Sequence, residues 1–299
     1  MTADRGPLQI GQRFAGCTVQ RLLGAGANSA VYAAFDEAAG EWRALKVFLP
    51  TPGPDSASAE GRRRFGQEQD LIGRLQHPDI VRVHGSGETD GLAWLSMELL
   101  AGTDLVRYTQ VARRLPPALV LQLAERIARA LDHAHRGGIV HRDLKPANVM
   151  VDWATQRVTL TDFGLARTDD AEATRTGLVL GSPAYMAPEL LAGATPDARS
   201  DLYALGVLLF QLLSGRLPFD ASGLGELLRQ VATTPAPDLH SLLPELDAGV
   251  AELVQQLLAK RPAERPADAS SVADRLAALQ DPVTPWPAGP EADGAKSRP

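Results

Sequence analysis

The stretch Ile139-Val140-His141-Arg142-Asp143-Leu144-Lys145-Pro146-Ala147-Asn148-Val149-Met150 organises the chain. An acid (Asp143), a cation (Lys145) and an amide (Asn148) stand within six residues, with apolar residues on both sides. Pro146 between the lysine and the amide opposes a continuous helix, because it lacks an N–H and crowds the preceding turn. The segment therefore reads as a loop, and a loop can aim three polar groups at one point. Taken alone, a solvated surface turn would suit the same residues.

Composition narrows the field. The chain has 299 residues, 44% of them apolar and 22% charged, enough for one large domain or two lobes with a sizeable core. Thirty basic residues against 36 acidic ones give a net charge of −6, which argues against a nucleic-acid binder built on phosphate contacts. Cys17 is the only cysteine, so no intrachain disulfide forms. The N-terminus lacks the basic start and apolar run of a secretory signal. The longest strongly apolar run, Leu202 to Leu213, is too short to cross a bilayer. A cytoplasmic protein is expected.

Residues 1–12 read as a flexible N-terminus, and strands follow. Thr18–Leu22, then Ala30–Phe35, then Trp42–Phe48 are separated by Gly24–Ser29 and by a turn over Asp36–Gly40. Ala30–Ala39 is alanine-rich and suits a helix almost as well; the alternation of Val31, Ala33 and Phe35 favours strand. A Pro/Gly/Ser linker over 50–61 precedes a helix, roughly Glu60 to Leu75, with Phe65, Glu68, Ile72 and Leu75 on one face. Gly66 and Gly73 each cost it about 1 kcal/mol relative to alanine. Strands are expected at Ile80–His84 and Leu92–Glu98.

Beyond Gly102 the pattern turns helical. Pro116-Pro117 opens a helix with Val120, Leu123, Ile127, Leu131 and Ala134 buried, ended by Gly137-Gly138. Val158, Leu160 and Asp162 alternate as a short strand. Ser200 caps an almost wholly apolar helix from Asp201 to Ser214, stopped by Gly215 and expected to run through a core. Weaker amphipathic helices are expected near 249–260 and 269–280. The tail from Asp281 holds five of the 22 prolines and reads as disordered. A strand-rich first third and a helix-rich remainder, joined near Glu98–Gly102, invite a ligand-binding cleft between two lobes.

Gly24-Ala25-Gly26-Ala27-Asn28-Ser29 approximates a phosphate-binding glycine loop, since small residues let backbone N–H groups approach a polyphosphate. A structural hairpin accounts for the string as well. A dinucleotide fingerprint would need a helix directly after it and an acid about twenty residues on. Ala44 and Lys46 face one side of a strand, the alanine leaving room for a flat ring and the lysine reaching beyond it. An edge-strand surface lysine is the bland alternative. Glu68 offers a buried cation its partner. Asp162-Phe163-Gly164 suits a corner that binds Mg²⁺ through carboxylate oxygens, or a plain turn. His133, His135 and His141 are poorly spaced for zinc; His135 reads as a packed helix-end residue and His141 as a loop support.

Taken in order, these motifs resemble the signature set of the protein-kinase family: the glycine loop, Ala44-Leu45-Lys46, Glu68, His141-Arg142-Asp143 with Asn148, Asp162-Phe163-Gly164 and Ala187-Pro188-Glu189, with Asp201, Gly206 and Arg265. The similarity covers about Phe14 to Leu279 and is nearest to bacterial serine/threonine kinases: Lys145 is the serine/threonine-type residue, and the segment Thr174 to Ser182 resembles the activation loop of bacterial members. It implies an α+β, two-lobed fold: a small antiparallel sheet lobe with one helix over 13–98, a larger mainly helical lobe over 99–279, and a proline-rich tail over 280–299. It also implies phosphoryl transfer from ATP, with Mg²⁺ or Mn²⁺, to serine and threonine hydroxyls of proteins. Lys46, held by Glu68, would contact the phosphates, Asn148 and Asp162 the metal, Asp143 the substrate hydroxyl, and Lys145 the migrating group. Leu23, Gly24, Ala25, Gly26, Ala27, Asn28 and Ser29 would line the phosphates; Val31, Ala44, Met97 and Met150 the adenine; Glu98 and Leu100 its edge; and Asp104 the ribose. Glu189 would pair with Arg265. Thr174 and Thr176 would accept a phosphate that Arg142 binds, and the family's habit of pairing through the small lobe allows a homodimer for autophosphorylation in trans. Two positions depart from the pattern. Ser29 replaces the third glycine and Ser182 the usual threonine, and neither removes a catalytic group.

Overall fold

The computed structural model describes residues 6–26, 28–49, 69, 71–163, 183–280 and 286. They form two compact units, one reaching Leu100 and the other beginning at Ala101.

The first unit is a six-stranded, wholly antiparallel sheet in the order β1-β2-β3-β4-β6-β5. Its strands are β1 (Arg13–Phe14), β2 (Cys17–Ala25), β3 (Ser29–Asp36), β4 (Glu41–Phe48), β5 (Val83–Thr89) and β6 (Leu92–Glu98). Alternation settles Ala30–Phe35 as strand: Ala30, Tyr32 and Ala34 of β3 pack with Val19, Leu45 and Val47 on one face. The β3–β4 turn forms because Asp36 Oδ1 accepts the N–H groups of Ala38 and Ala39 and Gly40 adopts φ +67°. Asp90 and Gly91, both at positive φ, make the tight turn between β5 and β6. β5 therefore starts at Val83 rather than Ile80 and runs on to Thr89. The stretch before Arg13 is fastened rather than loose from Leu8 onward. Leu8 is buried in the core, its N–H donates to Tyr32 Oη at 3.1 Å, and Gly11 N–H reaches Val19 O at 2.7 Å. Of the helix expected over 60–75, only Gln69 and 71–75 are described; Ile72 and Leu75 are buried as expected.

The second unit carries a small sheet of β7 (Thr103–Asp104), β8 (Val149–Asp152) and β9 (Arg157–Leu160) and is otherwise helical. Helix α1 (Pro117–Arg136) buries the expected stripe and ends where Gly137 N–H returns to His133 O. Two short segments, α2 (Pro188–Leu191) and α5 (Leu239–Leu242), and the longer α4 (Leu224–Thr233) were not foreseen. Helix α3 (Ala198–Ser214) is buried along most of its length and stops at Gly215 in the left-handed region. It begins three residues before the expected start, because the cap is Asp197. Asp197 Oδ1 accepts the Ser200 N–H at 3.0 Å and Ser200 Oγ faces back, a reciprocal capping box. Helices α6 (Ala248–Leu257) and α7 (Ala269–Ala278) complete the unit. Among the described residues no helix is long and apolar enough to cross a membrane.

Candidate active site

The loop from His141 to Asn148 is held by one carboxylate from α3. Asp201, with a side chain 1% exposed, accepts the His141 N–H at Oδ2 (2.7 Å), the Arg142 N–H at Oδ1 (2.9 Å) and the His135 Nε2–H at Oδ2 (2.8 Å). Arg142 sits at φ +67°, a conformation that costs a non-glycine residue on the order of 1–3 kcal/mol. The two bonds to Asp201 hold the chain there. Sequence reasoning named Asp201 but not this bridging role. The signal was present: a lone acid at the head of a helix that is apolar nearly all round has to find buried donors.

His141 is fully buried. Its Nε2–H donates to Thr161 O (3.0 Å), so Nδ1 is the acceptor for the Asp143 N–H (3.3 Å), and the ring lies 4.5 Å from the Phe163 ring. Burial pushes the imidazole pKa down, outweighing the opposing pull of Asp201 and Asp143, so the ring is neutral. His135 and His141 thus spend their Nε2 atoms on hydrogen bonds. Among the described residues no group of three or more His, Cys, Asp or Glu could cage a metal.

Asp143 is the point of convergence. Its Oδ2 accepts from Lys145 Nζ at 2.8 Å and from Asn148 Nδ2 at 3.1 Å, and Asn148 Nδ2 also donates to Asp143 O at 2.7 Å. With its amide nitrogen committed, Asn148 has its oxygen left for a hard cation. Asn148 immediately precedes β8, and Thr161 donates its N–H to Asn148 O at 2.9 Å just past the end of β9. The hairpin therefore brings Asn148 and Asp162 to one end. The expected alternation through Asp162 stops at Leu160, and Asp162 turns out of the strand at φ +58°. A carboxylate and an amide oxygen at a hairpin end suit a magnesium ion completed by phosphate oxygens.

In the sheet unit, Val31 pairs with Lys46 and Lys46 with Leu95, while Ala33 pairs with Ala44 and Ala44 with Met97. Cross-strand partners share a face. Val31, Ala33, Ala44, Lys46, Leu95 and Met97 therefore lie together on the face opposite the Tyr32–Leu45 core. Gly24 and Ala25 end β2 and Gly26 follows it, all three exposed, and Gly26 N–H closes the turn on Ser29 O at 2.8 Å. Neither glycine has positive φ, and a Cβ on Gly24 would touch nothing. The chain's own packing thus makes no demand for glycine at position 24. Leu23 is exposed and Asn28 O accepts the Leu49 N–H. Glu98 N–H is spent on Arg82 O at 2.9 Å, and Leu100 closes the unit. Asp104 faces Met150 across β7–β8, and its Oδ1 caps the following 3-10 turn through Val106 N–H at 3.0 Å. Ala27, Glu68, Gly164, Thr174, Thr176 and Ser182 lie outside the described residues.

Glu189 and Arg265 form the expected pair, two bonds of 2.7 Å with the guanidinium fully buried. Burial pushes the Glu189 carboxyl up, but the hydrogen bonds and charge of Arg265 more than reverse it, so its pKa lies below the usual range.

Compared with known proteins, residues 17–276 match the protein kinase domain. Serine/threonine-protein kinase PknJ of Mycobacterium tuberculosis is 38% identical over 278 residues, 91% of this chain and 46% of PknJ. PknF of the same species is 36% identical over 266 residues, 87% of this chain and 55% of PknF. PknI is 37% identical over 276 residues, 90% of this chain and 43% of PknI. The chain spans about half the length of these curated relatives. The crystal structure of Rad53 1-466 in complex with AMP-PNP matches with a TM-score of 0.71 at 24% identity, covering 87% of this chain and 64% of that solved chain, a likeness of fold. An α+β architecture of antiparallel sheet and helical unit, with the kinase motifs in their order, joins these matches: the chain belongs to the protein kinase domain family.

Proposed function

We propose that the chain is an ATP-dependent serine/threonine protein kinase acting in the cytoplasm. The observation that carries this is the convergence of Lys145 Nζ and Asn148 Nδ2 on Asp143 Oδ2. It leaves Asp143 Oδ1 without a hydrogen bond among the described residues. A substrate hydroxyl can donate to that oxygen, attack the γ-phosphorus in line and pass its proton to the carboxylate, while ADP departs. Magnesium-bound ATP supplies the phosphoryl group and the charge neutralisation. In this reading Lys145 offsets charge on the transferring group, Asn148 and Asp162 hold the metal, and Lys46, with Glu68, holds the phosphates. Val31, Ala44, Met97 and Met150 contact the adenine, Glu98 and Leu100 its edge. The backbone from Leu23 to Ser29 covers the phosphates, and Asp104 divides its carboxylate between the ribose and the Val106 cap. Glu68 completing the Lys46 pair, and autophosphorylation at Thr174 and Thr176 by a second copy, belong to the same proposal.

The test is γ-labelled ATP with Mg²⁺, with and without a generic protein acceptor. Transfer to protein is expected, falling about 10²–10⁴-fold in Asp143→Asn, as removal of a general base does. Mass spectrometry of the same samples reads Thr174 and Thr176. A folded protein that transfers no phosphate to any protein sinks the proposal. Transfer that Asp143→Asn leaves unchanged sinks the assignment of Asp143.

A further inference from the structure

The segment after α7 has a feature that phosphoryl transfer does not use. Trp286, in the run Pro285-Trp286-Pro287, is half-buried with its ring 5.8 Å from the Trp153 ring at an interplanar angle of 46°. The Arg126 guanidinium lies 5.8 Å from the Trp286 ring centroid. Both separations fall in the attractive range for aromatic pairs and for a cation against an aromatic face. The receiving groups are fixed beforehand. Trp153 donates its indole N–H to Tyr108 Oη at 2.9 Å and meets that ring edge-on at 5.5 Å, and Tyr108 is buried. Arg126 Nη1 donates to Gln156 O in the same turn that carries Trp153. A rigid aromatic floor with a cation at its side suits a tryptophan whose flanking prolines limit the conformations lost on docking.

We propose that Tyr108, Trp153 and Arg126 form a docking notch for a proline-flanked tryptophan, occupied in cis by this chain's own Trp286. The notch sits on the turn between β8 and β9, at the end opposite Asn148 and Asp162, so docking holds Trp286 at the back of that hairpin. The inference stands whether or not the chain transfers phosphate.

The test uses the full chain labelled with 5-fluorotryptophan, which gives one ¹⁹F resonance for each of the four tryptophans. Trp153→Phe assigns the central one. In Trp286→Ala the Trp153 resonance is expected to shift while those of Trp42 and Trp94 stay in place. A Val-Thr-Pro-Trp-Pro-Ala-Gly peptide added to Trp286→Ala is expected to return it saturably. In Arg126→Gln, which leaves Trp286 in place, both Trp153 and Trp286 are expected to move. A Trp153 resonance that Trp286→Ala leaves unmoved, or that the peptide fails to restore, overturns the notch. A shift that depends on protein concentration overturns docking in cis.

Discussion

Protonating His141 would put a hydrogen on Nδ1, the atom that accepts the Asp143 N–H. The buried ring would then lose its hold on Asp143 while carrying an unwanted charge. Its pKa is lowered in the folded chain, chiefly by burial, against about 6.5 when unfolded. Below pH 6.5 the unfolded chain therefore binds a proton that the folded chain refuses. The stability this residue contributes is complete above pH 6.5 and is lost as the pH falls from there toward the lowered folded value. The slope has an upper limit of about 1.4 kcal/mol per pH unit for one proton. Urea denaturation of the wild type and His141→Gln between pH 5 and 8 checks this. The wild type is expected to lead above pH 6.5, with the lead shrinking as acid is added. A constant gap would mean that His141 is not held neutral. The sequence could not disclose this arrangement: His141 and Asp143 are two residues apart, but Thr161 and Asp201, which complete it, come from β9's end and from α3.

Helix α3 shows how one position decides between local propensity and packing. A Cβ on Gly206 would lie 2.7 Å from Leu257 Cβ and 3.2 Å from the Leu257 carbonyl carbon in α6. Replacing glycine by alanine gains about 1 kcal/mol of helix propensity. Here the obstructing atoms are backbone and Cβ, which cannot swing aside, and overpacking of this kind costs about 1–3 kcal/mol. Packing is expected to win, so Gly206→Ala should lower stability by about 1 kcal/mol net, read from the urea midpoint. A rise would show that α3 and α6 separate easily. Such contacts explain what the sequence disclosed about the elements and what it withheld. The strands β2 to β4, and helices α1, α3, α6 and α7, follow from apolar periodicity because each buries one face, or all of itself, against a core. The start of α3 was misplaced because Ser200 looks like a cap on its own, whereas the box needs Asp197 three residues earlier. The β5–β6 turn was legible in Asp90-Gly91, a pair suited to two successive positive φ values, but the hydrophobic run from Ile80 drew the strand too far forward. Helix α4 was missed because Gly225 and the lack of a side-chain cap remove its local signals.

At the scale of the whole chain, motifs far apart in sequence were readable because each keeps its own local chemistry, and their order carried the family. Their geometry was not readable, since it depends on ties such as the one between α2 and the segment before α7. Arg265 shows what such a tie requires. Its Nε–H donates to Ala259 O, Nη1 to Glu189 Oε1 and Arg199 O, and Nη2 to Glu189 Oε2 and Lys260 O. All five guanidinium hydrogens are used, and three segments of the helical unit (α2, the start of α3 and the connection from α6 to α7) meet on one buried side chain. Lysine would keep the charge but brings three donors on one nitrogen, so it cannot satisfy Glu189 in fork geometry together with three carbonyls. Breaking a buried pair while leaving its partner in place costs about 3–5 kcal/mol. The retained charge points to the lower end, about 3 kcal/mol for Arg265→Lys. Denaturant unfolding in a Trp42→Phe, Trp94→Phe background isolates the helical unit, because the remaining tryptophans, Trp153 and Trp286, both lie in it. A loss under about 1 kcal/mol would mean that the apolar packing around α2 and α3, rather than this ion pair, holds the three segments together.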